Sequence, residues 1–107
     1  MSAQEPSLWD YVERASALGA RTIHFHPGVQ PCVRLAAEGL QPLGPDDPEL
    51  DARAIMNILV RVIDPDRWDQ LDQTGQGEIT LNPAAIGRPI RISVYRAREQ
   101  WCAVVFI

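Results

Sequence analysis

Leu8, Val12, Ala15 and Leu18 recur at helical spacing, and Trp9 widens the stripe. Ser7, with Asp10 three residues on, has the layout of a capping box, and Gly19 is placed to end the helix. From Ala20 the period changes to two. Ile23 and Phe25 take one face of a strand; Thr22, His24 and His26 take the other. Pro27-Gly28 ends it. A second short run, Cys32 to Leu35, pairs with the first as a hairpin; Ala36 to Gly39 turns the chain, and Leu40 to Leu43 forms another brief strand. Gly44 to Pro48 is loop by composition. Asp51 caps a helix whose stripe is Ile55, Ile58, Leu59 and Val62, broadened by Ile63. Asp64 and Pro65 then start a shorter helix as cap and first position, anchored by Trp68 and Leu71.

The last third reads as strands. Residues 78–81 alternate. Ile90, Ile92 and Val94 face one way, and Arg91, Ser93 and Tyr95 the other. Ala97 to Gln100 makes a tight return. Trp101 to Ile107 is apolar on both faces, so it lies centrally or has its outer face covered by a partner. Residues 1–6 read as a loose arm and 7–107 as one α+β domain: an antiparallel sheet with helices packed on one face.

Length and charge narrow the function. A chain of 107 residues buries only about 60–65% of its extended surface, enough for one modest core. All 10 basic residues are arginine, against 14 acids, for a net charge of −4. Without lysine there is no Schiff base and no phosphate-loop lysine. A net negative chain is a poor general nucleic-acid binder. No apolar run approaches the roughly 18 residues that span a bilayer. The first residues lack the features of a signal peptide, so a cytoplasmic location is expected. Cys32 and Cys102 form no CxxC pair and do not demand a disulfide.

The order and wording of these segments are similar to a known family. Gly19-Ala20-Arg21-Thr22-Ile23-His24-Phe25 resembles a "GASDLHL" segment. Pro31 to Leu35 with Gly39 to Leu43 resembles "PPxxRIDGxLxPL", and Gly87 to Arg96 resembles "RFRVNVFxQ". All three belong to the N-terminal domain of the motor ATPases of type IV pili, twitching motility and type II secretion. The resemblance spans residues 8–107 and implies a PAS-like domain. Its partner would be a motor ATPase, another pilus or secretion protein, or copies of itself. In such motors, arginines of this domain approach nucleotide held by the ATPase domain. Here Arg91 matches one of them, with Arg88 nearby; another falls on Pro89, and one in the last strand falls around Val105 or Phe106. Ala36-Ala37-Glu38-Gly39 stands where the family has Asp-Gly. Nothing in the chain matches GxxxxGK[ST], so no catalytic activity and no cofactor is expected.

Arg88, Arg91, Arg96 and Arg98 form the one local basic cluster, bordered by Glu99. One reading is a surface for an anion or an acidic partner; the other is a solvated strand face that offsets the acidic stretch Asp46–Glu78. The interaction reading joins Arg88, Arg91, Arg96 and Arg98 to Tyr95, Trp101, Val104 and Phe106, with the aromatic and aliphatic groups packing and Arg91 and Arg96 at the rim. His24 and His26 share a strand face, as two metal ligands would, and Cys32 joins them only if the hairpin register permits. With no third ligand at local spacing, an ordinary place in the sheet is the default and no metal is assigned. Glu38, Asp72 and Glu78 have no fixed separation that would make them a catalytic set. The alternative from another class is a small-ligand or anion sensor, which needs a hole behind Ile92 and Ala103.

Overall fold

The computed structural model describes residues 6–35 and 39–107. The expected arm, apart from Pro6, and most of the turn at Ala36–Gly39 lie outside them. The element order is α1 (Leu8–Ala17), β1 (Thr22–Phe25), β2 (Cys32–Leu35), β3 (Gly39–Pro42), α2 (Ala52–Val60), α3 (Pro65–Thr74), β4 (Gln76–Leu81), β5 (Ile90–Ala97) and β6 (Gln100–Phe106). The six strands form one antiparallel sheet in the order β3-β2-β1-β6-β5-β4. The doubly apolar β6 therefore runs beside β1 in the centre of the sheet.

Each helix starts on a side-chain cap. Ser7 and Asp10 complete a reciprocal capping box on α1. The Asp51 carboxylate accepts from the Ala54 N–H, and Asp64 accepts from Arg67 N–H with Pro65 just behind it. Gly75 ends α3 at φ 78°, a conformation that costs a side chain about 1 kcal/mol or more. The chain turns there straight into β4, which begins at Gln76 rather than Glu78. Two residues on, a Cβ at Gly77 would meet Leu71 Cδ2 at 2.5 Å, so the missing side chain lets α3 close on β4.

One face of the sheet is covered. Ile23, Phe25, Val33, Ile79, Ile90, Ile92, Val94, Trp101, Ala103 and Val105 share one parity. They are buried with Leu8, Tyr11, Val12 and Ala15 of α1, Ile55, Ile58 and Leu59 of α2, and Leu71 of α3. Leu18 departs from the expected stripe. The helix ends at Ala17, so Leu18 becomes the C-cap and is 51% exposed. Tyr11 takes the buried place instead, edge-on to Phe25 with ring centroids 5.3 Å apart.

Both sheet edges are blunted. At β4, Arg67 donates to the outward carbonyl of Glu78 (3.4 Å) and the Thr74 hydroxyl to that of Gln76 (2.8 Å). At the other edge, β3 is four residues long and ends in Pro42, which has no N–H to offer.

Candidate interaction face

The side of the sheet away from the helices carries the chemistry. Register sorts it into cross-strand rows. The first is Leu40, Arg34, Thr22, Phe106, Arg91 and Thr80; the second is Pro42, Cys32, His24, Val104, Ser93 and Glu78. The third holds Cys102, Tyr95 and Gln76. His26, just past β1, closes it with its ring 6.2 Å from Tyr95.

The first row is basic around an aromatic centre. The Arg91 guanidinium lies over the Phe106 ring, 4.3 Å from its centroid. A guanidinium held over a ring can still offer its N–H donors to carboxylates. Arg34 sits at the far side of the row, exposed. Val104 and Phe106 are half-buried and open the middle of the face to contact.

The other end of the face carries imidazole, phenol and thiol groups. His24 and His26 stack nearly parallel, 11° apart at 6.3 Å, and Thr22 Oγ1 lies 3.0 Å from His24 Nε2. Burial pushes the His24 pKa down, and the nearby His26 and Arg34 push it further. Tyr95 is shifted up by burial and by its neighbour Cys102. Cys102 is itself pushed up by burial, so its thiol stays protonated and a poor nucleophile. The register does set Cys32 directly across from His24. Even so, among the described residues no group of three or more histidine, cysteine or acidic side chains is arranged to hold a metal ion.

The eight residues singled out from sequence do not gather on one face. Arg91, Tyr95, Val104 and Phe106 lie together on the open face. Arg96 and Trp101 pair with each other on the helix side. There Trp101 is buried against Trp68, with centroids 5.0 Å apart, and Arg96 stacks 5.0 Å over Trp101 while bridging to Asp72 at 3.2 Å. A rim of Arg91 and Arg96 around one patch is thus excluded, because residues five apart on a strand point to opposite faces. Arg88 donates to Ser16 Oγ of α1 at 3.1 Å. Arg98 and Glu99 form the β5–β6 turn, both at positive φ, 54° and 65°. Sequence reasoning missed Arg34, Cys102 and the contact of His26 with Tyr95, because cross-strand register alone brings them to this face.

No family model and no curated protein matches the sequence. Solved structures do. The chain aligns with the pilus retraction motor PilT with bound ADP at a TM-score of 0.86 and 20% identity, over 96% of this chain and 29% of that one. The fold is that of a motor ATPase N-terminal region. The Legionella pneumophila ATPase DotB aligns at a TM-score of 0.66 and 12% identity, over 99% of this chain and 31% of DotB. At these identities the likeness is one of fold, and the chain spans less than a third of either motor.

Proposed function

We propose that the chain is a non-catalytic interaction domain that docks on a motor ATPase of a type IV pilus or secretion machine through its open sheet face. The observation that carries this reading is the fold likeness to a pilus retraction motor over nearly the whole chain. The open face supplies the place: Arg91 on Phe106 at the basic end, Val104 in the middle and Tyr95 at the other end. Residues 1–107 contain no match to GxxxxGK[ST], and on this reading nucleotide is handled by the motor. On this reading the domain works in the cytoplasm, where such motors act, and its helix-backed sheet is PAS-like in outline.

Docking fits the packing better than small-ligand sensing. A cupped ligand would need space behind Ile92 and Ala103, and both are fully buried. The open grooves lie elsewhere: one of about 300 Å³ between Pro6, Tyr11, the loop at Asp47–Asp51, and Ala54 and Ile58, and a shallower one of about 440 Å³ beside Gln76, Glu78, Ser93 and Tyr95 at the β4–β5 side of the sheet.

The test is affinity capture from native extract with ATP or ADP present, comparing the wild-type chain with a folded Arg91→Glu/Phe106→Ala variant. Enrichment of a pilus or secretion motor by wild type alone is the expected result. Equal enrichment by both would remove the open face from the reading, and no motor with either would remove the motor.

A further inference from the structure

We infer that the groove between α1 and α2 is a second docking site, which takes a short basic segment of another protein: one apolar side chain on its floor, with arginine or lysine on either side. This goes beyond the open face as a docking surface. The groove lies in the helical layer, on the covered side of the sheet, so both sites can be filled at once.

The floor is apolar. Tyr11 of α1, Leu50, and Ala54 and Ile58 of α2 form it, with the exposed Pro6 and Pro48 beside them. At about 300 Å³ it stands at the small end of ligand pockets and suits one anchoring side chain.

The rim is acidic. Asp47, Glu49 and Asp51 line it, and among the described residues no cation does. Asp47 is matched by Arg14 at 2.8 Å. Asp51 caps α2 by accepting from the Ala54 N–H through one oxygen, which leaves the other. Glu49 is exposed and outside the described ion pairs. Leu50 between them is buried and bridged to Val29, so the alternation of an extended segment turns Glu49 and Asp51 to the same outer side, about 6.6 Å apart along the chain. A cleft lined by one sign of charge over an apolar floor concentrates its field and draws the opposite sign. The rim therefore selects a basic segment over an acidic one, and the floor selects an apolar residue at its centre.

The rim is also held before anything binds. The Gln30 amide donates to the carbonyls of Pro45 (3.1 Å) and Asp47. Leu50 donates its N–H to Val29, and its carbonyl accepts from Gly28. A loop already fixed in this way loses little further entropy on binding.

Fluorescence anisotropy of a labelled, blocked nine-residue peptide with Arg-Leu-Arg at its centre tests this. Saturable binding with a Kd below about 1 mM is expected, weakening as salt is raised. Peptides with Arg-Ser-Arg or Glu-Leu-Glu in its place are expected to bind at least about tenfold more weakly. Glu49→Gln/Asp51→Asn removes both charges, and asparagine keeps the cap of α2; Ala54→Leu fills the floor. Each, shown folded by circular dichroism, should weaken binding at least about fivefold, and Arg91→Glu/Phe106→Ala should leave it unchanged. Wild-type affinity in the Glu49→Gln/Asp51→Asn variant would overturn the acidic rim, and wild-type affinity in Ala54→Leu would overturn the groove. Loss of the peptide in the open-face variant would place it on that face and overturn a second site. Failure to saturate below about 1 mM would overturn docking here, and if binding then appeared in a chain without residues 2–5, the groove would belong to the chain's own arm.

Discussion

Strands β5 and β6 carry two arginine–aromatic pairs of the same design, and they end in different states. Arg96 and Trp101 face each other across the strands at one end, Arg91 and Phe106 at the other. Both guanidiniums lie on their rings, at 5.0 Å and 4.3 Å. The first pair is turned to the helices, where Asp72 holds Arg96 through its carboxylate (3.2 Å) and its backbone carbonyl (3.0 Å), and Trp68 packs on Trp101. The second is turned to the open side and has no acid in its ion-pair range among the described residues. The pairing chemistry is shared; the third partner differs. Where the chain supplies that partner the pair fastens a helix to the sheet, and where it does not the pair is left facing outward.

Substitutions should separate these roles. The largest effect on stability is expected at the closed pair: Trp101→Ala should cost about 3–5 kcal/mol in urea unfolding, as for other large-to-small core changes, while the molecules that remain folded still bind through the open face. Arg91→Glu reverses the pattern. Partner affinity should fall at least about tenfold, about 1.4 kcal/mol, with unfolding stability within about 0.5 kcal/mol of wild type; a large loss of stability instead would make the two pairs equivalent. Asp72→Ala tests what the third partner contributes. Asp72 is well exposed, so less than about 1 kcal/mol of stability should be lost, and Trp101 fluorescence should shift as Arg96 is released.

The smallest expected effect is on pH. Burial lowers the His24 pKa in the folded chain below its ordinary 6.5. Below that value the unfolded chain binds the proton more readily, so stability should decline as pH falls through and below the ordinary histidine range. His24→Gln should flatten that part of the profile. An unchanged slope would assign it to other groups.

Much of this contrast was legible in the sequence, but not all. The alternation of Ile90, Ile92 and Val94 against Arg91, Ser93 and Tyr95 already put Arg91 on the polar face of its strand, but the expectation that Arg91 and Arg96 rim one patch did not carry that count on to Arg96, which falls opposite. Trp101 was harder to orient. It heads a strand apolar on both faces, where no alternation marks inside from outside, and only its register with Arg96 shows which way it points. The caps at Ser7, Asp51 and Asp64 were readable because capping is local. Tyr11 replacing Leu18 in the core was not, because it depends on where the helix ends. Cys102 lies across the β5–β6 hairpin from Tyr95, but on a strand with no alternation to mark its face, and Arg34 joins the row of Arg91 only through the pairing of β1 with β6, strands distant in sequence.

The blunted edges bear on how the protein survives at high concentration. With the Gln76 and Glu78 carbonyls already taken by Thr74 and Arg67, a stray extended chain finds no row of open acceptors along β4 from which to grow cross-β order. A strand added along β4 would first have to displace those two bonds, so the edge resists extension one carbonyl at a time.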